Sequence, residues 1–309
     1  MVAQPFVKWV GGKRQLLPEI RKHYPKAFTK PNAIPKIDTY IEPFVGGGAV
    51  LFDILTTCPK NNLPKRIVIN DLNETLILTY KMSQKKVNDV IAILLKLEKQ
   101  FYYAKNIDEY HNTKDNLKNY YNTIRDKYNH EALSDSEKAA YFIFLNRTCF
   151  NGLYRLNKNG EFNVPLGKQN RPTLCDMANL KAVSKVLKGV TITNTDYKTC
   201  IATYLTPNSF IYIDPPYRPL NDTSNFTAYT AGKFTDDNQK ELADTINDIN
   251  AYGAQFLLSN SDPHNSDPND NFFDDLYKDY TIERVMASRA INSNGAGRAK
   301  ITELLIYNK

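Results

Sequence analysis

The stretch from Thr39 to Asp71 limits the possible folds more than any other part of the chain. Thr39 to Val45 (TYIEPFV) is a short apolar strand pattern that runs straight into Gly46-Gly47-Gly48, and the AVLFDIL behind it has helical spacing. RIVIN, from Arg66 to Asn70, repeats the buried-strand pattern and ends in Asp71. Strand, glycine turn, helix, strand and acid, in that order, open a parallel nucleotide-binding sheet. Glycine lets the backbone approach a ligand closely and lets helix N–H groups point at it. A carboxylate closing the second strand suits both hydroxyls of a ribose. The turn is neither GxGxxG nor a phosphate loop, so the pair specifies a nucleoside-bearing cofactor without saying which.

Beyond Asp71 the texture changes. Residues 73–171 are rich in Lys, Asn and Tyr, with helical periodicity in KKVNDVIAILLKLEKQF and SEKAAYFIFLNRT and few strand signals. The α/β rhythm resumes from Leu180: GVTITN, SFIYID, AQFLLSN, TIERVMA and KITELLIYN read as strands, and QKELADTINDIN as a helix. The expected architecture is α/β, one Rossmann-like sheet domain from residues 1–72 and 173–309, interrupted by a mostly helical insertion over 73–172.

The 309 residues, 42% apolar, suffice for a real core. A formal charge of +7 suits a polyanionic partner but is equally compatible with plain solubility. No apolar run has the length of a membrane span, and MVAQPFVKWVGGKRQLL lacks the pattern of a signal peptide, so a soluble cytoplasmic protein with no membrane partner is expected. Cys58, Cys149, Cys175 and Cys200 are scattered with neither CxxC nor paired His, which predicts free thiols and no metal.

Two loops carry the remaining chemistry. In FVKWVGGKRQLL the GGK turn, flanked by Trp9 and Arg14, lacks the earlier Gly and the hydroxyl of a phosphate loop; spacing alone makes it a basic surface loop with a buried Trp. SFIYIDPPYRPL says more. Phe210, Ile211 and Ile213 make a buried strand that ends in Asp214-Pro215-Pro216-Tyr217. The second proline keeps Pro215 out of the helical region and stiffens the backbone. A carboxylate oxygen, a proline carbonyl and an aromatic face on a rigid platform suit a planar amino group: its two protons accepted, its ring stacked.

Asp214-Pro215-Pro216-Tyr217, taken with Phe44-x-Gly46-x-Gly48, resembles the amino-methyltransferases that act on adenine N6 or cytosine N4. The order of cofactor motif, insertion and catalytic motif resembles their α group. KWVGGKRQL, FNGLYRLNKNGEFNVPLGK, SNFTAYTAGKFT and SRAINSNGAGRAKITELLIY sharpen the likeness to Dam-type adenine methylases. The resemblance implies an S-adenosylmethionine-dependent sheet domain carrying a helical DNA-recognition domain. It assigns Trp9, Lys13, Gly46, Gly48, Asp71, Asp196 and Asp214 to S-adenosylmethionine, and Asp214, Pro215, Pro216 and Tyr217 to catalysis.

Within the insertion, Arg147, Asn151 and Arg155 are read as loop residues around Phe150, suited to double-stranded DNA and to filling the gap a flipped base leaves. Leu153, Arg155 and Pro165 match the family's readers of GATC, and Lys168 is expected on phosphate. A restriction endonuclease sharing the site is a possible partner. Two alternatives remain: a dinucleotide-binding protein, which leaves the Asp-Pro-Pro-Tyr loop unexplained, and a methyltransferase of the same fold acting on cytosine N4, RNA or another DNA sequence.

Overall fold

The computed structural model describes residues 2–34, 36–168, 172–218, 234–288 and 300–308. Residues 224–233 of SNFTAYTAGKFT and 289–299 of SRAINSNGAGRAKITELLIY lie outside the described residues.

Seven described strands form one sheet: β1 (Thr39–Glu42), β2 (Arg66–Asn70), β3 (Thr191–Thr193), β4 (Ser209–Ile213), β5 (Gln255–Ser261), β6 (Thr281–Ser288) and β7 (Lys300–Tyr307). Their spatial order is β3-β2-β1-β4-β5-β7-β6. β1 lies parallel to β2 and β4, and β4 parallel to β5, whereas β7 runs antiparallel to both β5 and β6. Each strand read from the sequence is present, because each pairs a β-branched or aromatic run with a clear stop. β4 is buried at all five positions, as expected of a central strand covered on both faces.

The chain divides into two units. One comprises Lys13–Val45, Ala49–Leu72 and Thr193–Lys309. Its core joins Ile41, Val68, Ile211 and Ile213 of the parallel strands to Leu242, Ile246 and Ile249 of the helix Asp236–Ala251. Burying each such side chain is worth about 1.5–3 kcal/mol.

The other unit comprises Met1–Gly12, Gly46–Gly48 and Asn73–Ile192, so its limits differ from the 73–172 that sequence texture indicates. Its helices are Glu74–Lys85, Val87–His111, Asp115–His130, Asp135–Thr148 and Met177–Val186. Asn112, at φ 52°, ends the long second helix in the left-handed conformation that asparagine tolerates. A reciprocal capping box, Ser134 with Glu137, starts Asp135–Thr148, and such an N-cap is worth about 1 kcal/mol. From Ala139 to Leu145 that helix is apolar and buried on nearly every side, with Ala139, Ala140, Phe142, Ile143, Phe144 and Leu145 buried, as its place among the other helices of the unit requires.

Candidate active site

In an open α/β sheet, ligands bind beyond the carboxyl ends of the strands where the strand order reverses. Here the reversal falls between β1 and β4. β1 ends at Glu42 and β4 at Ile213, so register places Glu42 and Asp214 at adjoining strand ends.

Asp214 is the hub of a polar cluster. Lys13 Nζ lies 2.8 Å from Asp214 Oδ1 and 4.5 Å from the centre of the Tyr217 ring. Ser259 on β5 donates to the same carboxylate oxygen at 3.1 Å, because Leu258 pairs with Ile213 one residue earlier. The Ser259 and Tyr212 hydroxyls share a hydrogen bond of 2.9 Å, and Tyr217 Oη donates to Glu303 Oε2 on β7 at 2.7 Å. Burial pushes the Asp214 carboxyl up; the Lys13 ammonium holds it back, and the Glu303 charge adds to the rise. A 5% exposed ammonium against this carboxylate corrects the reading of Lys13 as a surface-loop residue.

The Asp-Pro-Pro-Tyr loop is pinned on its far side too. Gln239 donates to the Pro216 carbonyl at 3.2 Å. Arg218 forks onto Asp236 at 2.8 and 3.1 Å, reaches Asp270 at 2.5 Å, and lies 4.4 Å from the centre of the Phe272 ring. Charge-assisted, planar contacts of this kind restrain a loop in one geometry.

Glu42 is a functional candidate that sequence reasoning missed. It is 2% exposed and accepts from Tyr40 Oη at 2.7 Å. Burial pushes its carboxyl up to about 8; the Tyr40 hydrogen bond opposes that rise and the Asp214 charge adds to it. Glu42 is therefore protonated at neutral pH in the folded chain, whereas an unfolded Glu titrates near about 4.3. Between those values the folded state holds the extra proton, so stability falls as pH rises through the window. Glu42→Gln should flatten that loss: wild type and variant melt alike near pH 5, and the variant melts higher near pH 9. Calorimetric scans across pH check this, and parallel pH dependences would refute it.

Asn70, also missed, fastens the loops behind the strands. Its amide donates to Pro43 O at 3.1 Å and Thr195 O at 2.9 Å, while its oxygen accepts from Thr193 Oγ1 at 2.9 Å. Asp71 follows it, partly exposed, with its backbone oxygen held by Asn194 Nδ2 at 2.8 Å. Asp196 is exposed and caps the helix Tyr197–Tyr204, accepting from Lys198 N at 2.9 Å.

In the helical unit, Gly46 (φ 47°) and Gly48 (φ 72°) adopt the left-handed backbone. A Cβ on Gly46 would stand 2.8 Å from Cδ1 of Trp9, so the turn admits no side chain there. The Trp9 indole stacks on Tyr154 with centroids 5.8 Å apart.

The same unit holds the predicted reading loop. Phe150 N donates to Pro165 O and Gly167 N to Thr148 O, each at 2.8 Å, which closes the FNG turn against VPLG. A Cβ on Gly167 would stand 2.6 Å from the Cys149 carbonyl, which explains the glycine. Buried Asn146 binds Lys8 N at 2.7 Å, Lys8 O at 2.8 Å and Gly152 O at 3.1 Å, anchoring the loop. Phe150, Asn151, Arg155, Pro165 and Lys168 are exposed and Leu153 is half-buried. The sequence reading placed Arg147 in this loop. It belongs instead to the last turn of Asp135–Thr148, and its guanidinium donates to Phe6 O at 2.8 Å. Helical periodicity carries through LNRT, so the loop starts after Cys149.

All four cysteines are free, and no group of residues that could hold a metal occurs among the described residues. None of the described helices is long and apolar enough to cross a membrane.

A mostly parallel seven-stranded sheet in which β7 runs antiparallel to its two neighbours, with acids at the ends of β1, β2 and β4, fits the class of S-adenosylmethionine-dependent methyltransferases. A family model described as D12 class N6 adenine-specific DNA methyltransferase matches residues 9–291. The chain is 43% identical to the type II methyltransferase M.MjaIII of Methanocaldococcus jannaschii, over all of both chains. It is 32% identical to the type II methyltransferase M1.LlaDCHI of Lactococcus lactis, over 99% of this chain and 95% of that one. It is 33% identical to the DNA adenine methylase of Vibrio cholerae, over 97% of this chain and 94% of that one. The chain belongs to the D12 class N6 adenine-specific DNA methyltransferase family, and it is an adenine-specific DNA methyltransferase.

Proposed function

We propose that the enzyme flips an adenine out of duplex DNA, within GATC, and methylates its N6 by direct in-line attack. The observation that carries this reading is the cluster at the end of β4: a partly buried carboxylate, Asp214, held by Lys13 and Ser259 beside the Tyr217 ring. An adenine amine is a poor nucleophile because its lone pair is conjugated into the ring. Asp214 and the Pro215 carbonyl accept its two protons and so favour a pyramidal nitrogen, while Tyr217 stacks on the flipped ring. The carboxylate then offsets the positive charge that develops on nitrogen, and the surplus N6 proton leaves to Asp214 or to solvent. Positioning supplies much of the remaining acceleration.

S-adenosylmethionine supplies an electrophilic methyl group when bound. The tight Gly46 turn against Trp9 and the partly exposed Asp71 at the end of β2 fit such a group. Gly46 and Gly48 would line its methionine portion, Trp9 would contact it, Asp71 would hold the ribose and Asp196 would lie near the adenine moiety. Lys13 acts by holding Asp214, to which its ammonium is bound.

Residues 73–172 read the target and the rest of the chain does the chemistry. Phe150, 47% exposed, fills the space the flipped base leaves, next to Asn151. Leu153, Arg155 and Pro165 read bases, and Lys168 contacts phosphate. Arg155 is oriented for this by Asn163, whose oxygen accepts from its Nε at 2.7 Å. The type II names of two relatives support pairing with a restriction endonuclease that recognises the same site, acting in the cytoplasm.

Initial rates on GATC duplexes, and on duplexes substituted at each position in turn, test the assignment, with mass spectrometry of the product nucleosides. N6-methyladenine confined to GATC is expected. Arg155→Ala should relax choice at one base pair by about 1–3 kcal/mol. Lys168→Ala should weaken binding evenly and lower the salt slope by about one unit. Uniform slowing of every duplex by Arg155→Ala would make Arg155 a backbone contact. Indifference of the wild type to all substitutions would exclude GATC, and N4-methylcytosine would exclude the adenine pocket.

A further inference from the structure

We propose that Glu303 is a positioning residue for methyl transfer: fixed on β7, its carboxylate holds the Tyr217 hydroxyl and so sets the orientation of the ring beside Lys13 and Asp214. The inference rests on the reading of Asp214 to Tyr217 as the amine-binding loop.

Three observations carry it. The hydrogen bond from Tyr217 Oη to Glu303 Oε2 is 2.7 Å, within the usual range for a hydroxyl on a carboxylate, and charge-assisted bonds of this kind are about twice as strong as neutral ones. Glu303 sits on a strand paired on both sides, opposite Ser261 of β5 and Val285 of β6, so its backbone is held by the sheet and not by a loop. The opposite, cationic contact of the ring is Lys13 Nζ, 4.5 Å from its centre and 2.8 Å from Asp214 Oδ1.

Pro215 and Pro216 stiffen the backbone before Tyr217 but leave its own side-chain torsions free. Glu303 removes that freedom by tethering the far end of the ring. A phenol free to swing presents its face to a base only part of the time, whereas a tethered one is preorganised and loses less entropy when a base stacks on it. The ring is thus held by opposite charges, Lys13 over its face and Glu303 at its hydroxyl. Both charges belong to segments remote in sequence from the loop they orient.

The test is a double-variant cycle on the whole enzyme with a GATC duplex and S-adenosylmethionine, measuring single-turnover rate, duplex KM and cofactor Kd. Glu303→Ala should lower the rate by about tenfold or more, with cofactor Kd within about twofold of wild type. Tyr217→Phe should do the same, and Tyr217→Phe/Glu303→Ala should be no slower than the slower single variant, because both remove one interaction. Glu303→Gln keeps an acceptor oxygen for the hydroxyl and should recover most of the rate lost in Glu303→Ala. Multiplying losses in the double variant, or Glu303→Gln as slow as Glu303→Ala, would overturn the proposal. Should Glu303→Ala disturb folding, Tyr217→Phe with Glu303→Gln still completes the comparison, since the first lies outside β7 and the second keeps the size and shape of the strand residue. Asp214→Ala separates the two readings. An inactive Asp214→Ala beside a wild-type Glu303→Ala overturns only the role of Glu303, whereas an active Asp214→Ala overturns the loop assignment itself.

Discussion

Asp214→Ala should abolish methylation while leaving S-adenosylmethionine affinity within a few-fold of wild type. The carboxylate lies at the end of a fully buried strand, fixed by Lys13 at 2.8 Å and Ser259 at 3.1 Å before any base arrives. Removing a preorganised group that stabilises developing charge costs on the order of a hundredfold or more in rate. The substitution also strands the buried Lys13 ammonium, and breaking a buried pair from one side costs about 3–5 kcal/mol. A lower melting temperature is therefore expected for Asp214→Ala. Asp214→Asn, which keeps a carbonyl for Lys13, should melt closer to wild type and still be inactive. Single-turnover methylation of a GATC duplex, with calorimetric melting of both variants, checks this. Turnover near that of wild type in either variant would end the proposed mechanism.

Asp71→Ala should raise the Kd for S-adenosylmethionine by one to two orders of magnitude and leave the ranking of DNA sequences unchanged. Asp71 follows the last residue of β2, where Asn70 clamps the neighbouring loops, so its carboxylate is presented from a rigid base. Hydrogen bonds to a charged acceptor are worth about 1.5–3 kcal/mol each, which sets the size of the expected loss. Titration calorimetry with S-adenosylmethionine gives the number directly. An unchanged Kd would leave Asp71 as a strand-end residue without a ligand.

The elements that announced themselves in the sequence are those whose signal is local. β1, β2 and β4 each centre on a short apolar run and stop at Pro43, Asp71 and Asp214, and neighbouring residues alone define them. Residues acting across the fold carry no such mark. Ser259 reads as one polar position in a buried strand, and only the pairing of Leu258 with Ile213 brings it to Asp214. Glu303 is invisible for the same reason, because β7 crosses between β5 and β6 against chain order. Glu42 lies inside the TYIEPFV strand pattern but carries no mark there, since a carboxyl raised by burial looks in sequence like any other Glu. Arg147 failed differently: the helical pattern SEKAAYFIFLNRT already ran through it, yet it was grouped with the loop residues that follow, whereas the helix continues to Thr148 and turns the guanidinium onto the Phe6 carbonyl.

The placement of β7 also governs the order in which the sheet can be completed. β6 precedes β7 in the chain, yet its described ladder is with β7 alone, and β7 is also what covers the second side of β5. Until Lys300–Tyr307 leaves the ribosome, β5 ends in an open row of N–H and C=O groups and β6 has nothing to dock on. Open strand edges recruit other chains, and pairings that wait on distant residues form slowly. The nascent protein therefore exposes an open strand edge until its seventh strand pairs between the fifth and sixth, the kind of edge that makes folding intermediates prone to aggregate.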